Sequence, residues 1–192
     1  MERKRKKREA LKLDQMMRVL FKLSHNIIVD LLNGLFQENF LPDEVSLHYG
    51  DGHFINDEYE RIIGDLFITI RKQEQVYTYH IEFQTLNDLT IVIRMFRYGF
   101  EKALELADFA NQGDKSRRVI DFPKQLVIFL EENESIRDEL SLLLRLPDGK
   151  EIEYTVPIMK YWKYSAEDLR NKKMYALLPL QVFKSRKKMM SI

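Results

Sequence analysis

Asp65 and Glu82 are acidic residues in segments built for the inside of a sheet. Gly64-Asp65-Leu66-Phe67-Ile68-Thr69-Ile70 and Tyr79-His80-Ile81-Glu82-Phe83-Gln84 are rich in β-branched and aromatic residues, the composition of buried strands. A carboxylate in such surroundings costs several kcal/mol unless a cation or strong hydrogen bonds compensate it. Two of them on neighbouring strands point to a divalent-metal site, because hard cations take oxygen ligands.

The elements that position this pair follow from the local pattern. Residues 62–70 and 76–85 are expected as two strands of a hairpin, joined by the polar stretch Arg71-Lys72-Gln73-Glu74-Gln75. A tip between Gln73 and Glu74 sets Asp65 opposite Glu82. Strand alternation then puts His80, Glu82 and Gln84 on one face, and Tyr79, Ile81 and Phe83 on the other. The apolar face is ordinary core. The polar face needs a reason.

Upstream, residues 12–40 carry two helical stripes. Leu13, Met16, Met17, Leu20 and Phe21 form the first, and Ile27, Ile28, Leu31, Leu32 and Leu35 the second, with Ser24 or Asn26 as cap or break between them. Residues 45–49 alternate like a strand, and Gly50-Asp51-Gly52 reads as a turn. Asn87 or Asp88 is expected to cap a helix reaching about Phe109, with Arg94, Arg97, Tyr98, Glu101, Lys102 and Glu105 sharing one side. Residues 111–118 read as a loop and 125–130 as a buried strand. Residues 140–146 and 151–157 form a hairpin around Pro147-Asp148-Gly149. Ser165-Ala166-Glu167-Asp168 resembles a capping box opening a last helix, which Pro179 should stop.

Composition bounds the chemistry. At 192 residues with 45% apolar and 11% aromatic content, the chain has the makings of one folded domain. The absence of cysteine excludes disulfides, thiolate zinc sites and cysteine nucleophiles. His25, His48 and His53 lack metal-ligand spacing with one another. No apolar run approaches the roughly 20 residues that span a bilayer, and no signal-peptide core follows the first charges, so a cytoplasmic protein without membrane contact is expected. The net charge of +1 conceals an asymmetry: residues 1–12 carry +5 and residues 184–192 carry +4, leaving an acidic body. Basic ends suit contact with phosphates, and they equally suit solvated termini. The expected organisation is a basic arm over residues 1–12 and one domain over 13–192. Its core runs to about residue 130, and a C-terminal hairpin and helix follow.

Asp65, then Glu82-Phe83-Gln84, then Arg94-Met95-Phe96-Arg97-Tyr98-Gly99 resembles the PD-(D/E)xK nuclease superfamily, in particular its Rpn-like branch, often named PD-(D/E)xK nuclease family transposase. The strings His80-Ile81-Glu82-Phe83-Gln84-Thr85 and Leu177-Leu178-Pro179-Leu180 add to the likeness, as does Asp14-x-x-x-Arg18, which is similar to that branch's Asp-x-x-x-Lys helix motif. The resemblance spans nearly the whole chain from residue 13. It implies an α/β, restriction-endonuclease-like fold with a mixed central sheet flanked by helices. The implied activity is Mg²⁺-dependent DNA endonuclease chemistry linked to transposition or recombination, with Mn²⁺ as a substitute ion.

By the same resemblance Asp65 and Glu82 are metal ligands, the Phe83 carbonyl is a third, and Asp14 is a candidate further carboxylate. Gln84 stands where the superfamily usually has lysine. It can orient the attacking water but brings no positive charge, and Arg94 is the candidate for that missing cation. Gly64 likewise replaces the proline before Asp65. DNA is the implied partner, and a homodimer is expected for double-strand cleavage, which needs two active sites.

Each residue also has an ordinary reading. His80 reads as a core histidine with its own partners rather than as a base. Asp14 with Arg18 is also a local surface pair. The rival function is a non-catalytic nuclease fold that binds nucleic acid or protein, favoured by Gln84 and the acidic body, and a third is an inert remnant of a mobile element.

Overall fold

The computed structural model describes residues 24–50, 65–85, 87–88, 90–107 and 119–183. The basic arm, Asp14 and Arg18, the first stripe of the expected N-terminal helix, residues 62–64 of the expected strand, the expected loop at 111–118 and the basic tail lie outside them.

The chain is α/β; among the described residues a six-stranded mixed sheet is flanked by helices. Helix α1 (His25–Phe36) starts at Ser24, which has extended backbone but makes no side-chain cap bond. It buries Ile28, Leu31 and Leu32 of the stripe read from sequence together with Val29, while Ile27 and Leu35 of that stripe are half-buried against the same core. The helix stops at Gln37 in the left-handed region, φ 57°, with the Glu38 amide reaching back to the Asn33 carbonyl. This closure satisfies end carbonyls without glycine, which is why the helix is shorter than its apolar pattern. Asn33 then grips the Phe40 backbone through both its amide nitrogen and its amide oxygen, each at 2.9 Å.

Strands β1 (Ser46–Gly50), β2 (Asp65–Lys72) and β3 (Gln75–Gln84) form an antiparallel meander. Helix α2 (Ile91–Leu106) crosses back to β4 (Lys124–Phe129), which runs parallel to β3. The hairpin β5 (Glu139–Arg145) and β6 (Glu151–Lys160) completes the order β1-β2-β3-β4-β6-β5. The C-terminal hairpin therefore extends the same sheet. β6 continues past Pro157, which sits opposite Glu139 at the end of the β5 ladder and one residue before pairing to β4 begins at Ile158.

One face of the sheet carries the larger core. Leu66, Ile68 and Ile70, Tyr79, Ile81 and Phe83, and Leu126 and Ile128 pack there against α1 and the C-terminal segment. α2 packs on the other face against Val127, Phe129 and Val156. Tyr98 and Lys102 join Ile91, Met95 and Ala103 on the buried side of α2, so two residues expected on its polar side point inward. Their long stems are mostly hydrocarbon and pack as such.

Ser165 and Asp168 form the full capping box read from sequence, opening α3 (Ala166–Asn171). Past its end the chain turns back at Lys173, φ 56°, where the Met174 amide bonds the Leu169 carbonyl and the Lys173 amide bonds the Arg170 carbonyl. Pro179 is not the stop. It lies inside a 3-10 segment, Tyr175–Phe183, whose Leu177 and Leu180 enter the core.

Gly34 lets the turn between α3 and this segment sit directly on α1. A Cβ there would lie 2.7 Å from Met174 Cγ and 2.8 Å from the Lys172 backbone oxygen. Backbone cannot rotate away like a side chain, so Gly34→Ala should lower the unfolding free energy by about 1–3 kcal/mol in urea titrations. An unchanged midpoint would show that the turn can lift off α1 without loss.

Candidate active site

The β2–β3 turn is tight. Gln73 takes φ 54°, and Lys72 already pairs with Gln75. From that tip the ladder runs without a bulge to Asp65↔Glu82, the pairing expected from the sequence. On its other side β3 pairs with β4, Glu82 opposite Val127 and Gln84 opposite Phe129. Glu82 is thus in an interior strand, near the carboxyl ends of two parallel strands and beside the first turn of α2. In open α/β sheets, ligands bind at such ends.

Glu82 is 1% exposed. Its Oε1 accepts a hydrogen bond from Gln84 Nε2, two residues on and on the same strand face. Arg94, in the first turn of α2, brings Nη2 to 3.4 Å from the same oxygen and to 3.6 Å from Asp88 Oδ2. Both contacts are longer than the ~2.7–2.9 Å of tight charge-assisted bonds. The Arg94 side chain is 13% exposed, and its Nε is buried with no hydrogen-bond partner among the described residues.

Asp88 is the outer member of this group. Its Oδ1 accepts from the Thr90 amide at 2.8 Å and the Thr90 hydroxyl at 2.7 Å, a turn that leads into α2. Thr90 is the residue before the helix, and it makes no side-chain cap bond itself. Partial burial pushes the Asp88 carboxyl up, but the two Thr90 bonds and the Arg94 guanidinium outweigh it and hold the carboxyl below its ordinary range.

One step further along β3, a buried polar chain fixes the depth of α2. Gln125 Nε2 donates to the Met95 carbonyl at 2.7 Å and meets His80 Nδ1 at 2.9 Å. A carbonyl only accepts, so the amide nitrogen must face Met95, and its second hydrogen goes to His80. His80 Nδ1 is therefore an acceptor. The Tyr154 hydroxyl donates to Gln125 Oε1, and burial pushes that phenol well above its ordinary range. Phe67 stacks on the His80 ring at 4.1 Å between centroids. Gly99 makes room for the amide, since a Cβ there would lie 2.8 Å from Gln125 Nε2. Beyond Phe67, Lys102 is 5% exposed and pairs with Glu105 at 2.7 Å.

The expected site residues thus divide. Glu82, Gln84 and Arg94 are in contact, and the register sets Asp65 across from Glu82. The Phe83 side chain is in the opposite core, while its backbone runs beside Ile128 of β4. Asp14 lies outside the described residues. His80 is a core histidine with partners, as read. Among the described residues no cluster of three or more histidines and carboxylates is arranged to hold a metal.

Three contributors were missed: Gln125, Tyr154 and Asp88 in its role toward Arg94. Gln125 carried the same signal as Glu82, a polar residue in an otherwise apolar strand. The sequence pattern alone gives Asp88 only a capping role.

No family model, no curated protein and no solved structure matches the chain. Fold and site define an α/β protein with a buried carboxylate, hydrogen-bonded by an amide and approached by a guanidinium, near the carboxyl ends of its parallel strands. No helix among the described residues is long and apolar enough to cross a membrane.

Asp88→Asn keeps the Thr90 turn and removes the charge that faces Arg94. A carboxyl held below its unfolded value of about 4 stabilises the fold above that pH and loses the contribution as pH falls through the folded value. The stability advantage of the parent over Asp88→Asn should therefore be full near neutrality and shrink below about pH 4. Urea midpoints across pH 3–7 measure it, and a constant difference would remove Asp88 from the ion-pair group.

Proposed function

We propose that the protein is a metal-dependent DNA endonuclease of PD-(D/E)xK type, with a restriction-endonuclease-like core, acting in the cytoplasm in transposition or recombination. The observation that carries this reading is Glu82, 1% exposed and paired across the ladder with Asp65. Opposed residues of an antiparallel pair lie about 5 Å apart at Cα, and like charges so placed repel. A cation resolves that repulsion. The order helix, strand, hairpin, helix, strand also agrees with the arrangement the resemblance implies.

The donor chemistry fits a hard divalent ion. Glu82 offers carboxylate oxygen, Asp65 stands opposite, and the approach of Arg94 to Oε1 marks a place where positive charge is stabilised. Asp65, Glu82 and the Phe83 carbonyl would hold Mg²⁺ or Mn²⁺, which when bound neutralises phosphate charge and lowers the pKa of its water.

The chain's own groups do the rest. Gln84 donates through Nε2 to Glu82, and so keeps its carbonyl oxygen to accept from the attacking water and aim it. Arg94 supplies the positive charge that Gln84 lacks, where negative charge develops on the phosphate. His80 is no base in this scheme, because Nδ1 is committed to Gln125. A pair of copies would deliver the two cuts of a double-strand break.

A second reading is a nuclease fold that binds nucleic acid or protein without cutting. It is favoured by the Glu82 oxygen being engaged from within, by Gln84 and Arg94.

Plasmid nicking with Mg²⁺ or Mn²⁺ decides between them. In Glu82→Ala and the closer isostere Glu82→Gln, nicking should fall by about a hundredfold or more, the scale of lost transition-state electrostatics. Circular dichroism checks that both variants fold. Equal nicking by parent and variants would sink the site assignment. Metal binding by calorimetry that is absent, or indifferent to Asp65 and Glu82, would select the binding module.

A further inference from the structure

The Arg94 guanidinium contacts its two carboxylates almost equally and grips neither. Nη2 lies 3.4 Å from Glu82 and 3.6 Å from Asp88, and Nε has no hydrogen-bond partner among the described residues. A guanidinium has five donors in a rigid fork and normally makes paired bonds to a carboxylate. Here the fork is not seated. Moving it would give up no bond at Nε and only long contacts at Nη2.

The two carboxylates differ in where they lead. Glu82 is sealed in the sheet, whereas the Asp88 side chain is 38% exposed at the start of α2. A long, flexible side chain rooted in the first turn can therefore swing from the inner carboxylate to the outer one with no backbone movement. A buried carboxylate that stays charged needs a cation or strong hydrogen bonds in every state of the protein, and Arg94 adds a cation to the Gln84 bond at Glu82. Two cations on one carboxylate repel each other strongly in a low dielectric.

We propose that Arg94 is an exchangeable counter-ion: it compensates Glu82 in the metal-free protein, and a divalent cation displaces it toward Asp88 and the phosphate backbone. This rests on Glu82 being a metal ligand. Metal and guanidinium then bind Glu82 in negative linkage, and the linkage is reciprocal. Arrival of the ion is also what frees the arginine for the anionic substrate, so the metal-free protein keeps its charge clamp folded away.

The test is Mn²⁺ affinity, read by calorimetry or by the electron-spin signal of the free ion, with no DNA present. Arg94→Gln should bind Mn²⁺ about tenfold more tightly than the parent, a typical size for such coupling. Arg94→Lys, which keeps the charge, should stay near the parent. Without metal Arg94→Gln should melt at lower temperature, and Mn²⁺ should raise its melting temperature more than it raises the parent's.

Asp88→Asn gives the opposite sign and does not depend on the fate of Arg94→Gln. With the outer seat gone, Arg94 stays on Glu82 and Mn²⁺ binding should weaken severalfold; in the Arg94→Gln background that effect should vanish. Equal or weaker Mn²⁺ binding in Arg94→Gln overturns the exchange while leaving the metal site standing. Unchanged Mn²⁺ binding in Glu82→Gln overturns both.

Discussion

The burial of one carboxylate governs this half of the molecule. Glu82 has neighbours on both sides in the ladder, and an apolar core lies beneath the sheet. Its charge is tolerable only with partners that are themselves held in place. Gln84 is held by the strand they share. Arg94 is held by α2, whose depth is set elsewhere, by the Gln125 bond to the Met95 carbonyl one residue along. The His80–Gln125–Tyr154 chain is therefore more than a satisfied buried network. It ties β3, β4, β6 and α2 at a single side chain, and Gly99 supplies the close approach that the tie requires.

What the sequence revealed follows from which signals are local. The pairing of Asp65 with Glu82 could be read because a polar five-residue stretch permits few turns, and register propagates from a turn. The faces of β3 could be read because alternation is geometric. The ends of α1 and α3 could not, since both close on non-glycine residues in the left-handed region, Gln37 and Lys173. Nothing in either residue type announces that conformation. The inward face of α2 was misjudged for another reason. Lys102 carries a charge but is buried, its ammonium over the Phe67 ring and paired with Glu105. Gln125 was legible in principle and unread, because an amide in a strand is easily taken for an edge residue when its partners come from three other elements.

On the proposed nuclease reading, glutamine at position 84, where the resemblance implies lysine, changes where the positive charge of the site would be anchored. A lysine on β3 would be fixed to Glu82 by strand geometry, two residues away on the same face. Arg94 is fixed to Glu82 only through the docking of α2. Its distance then depends on the Gln125–Met95 bond, on Gly99, and on the Asp88–Thr90 turn that starts the helix. Arg94 also has a second carboxylate within reach, Asp88, just before its own helix. The loose fork of Arg94 is what such an arrangement requires, because a counter-ion seated as tightly as a structural salt bridge could not yield to another cation. Under the proposed exchange, the feature that makes the site look weaker than a lysine-bearing one would be the feature that lets its charge respond to a bound cation.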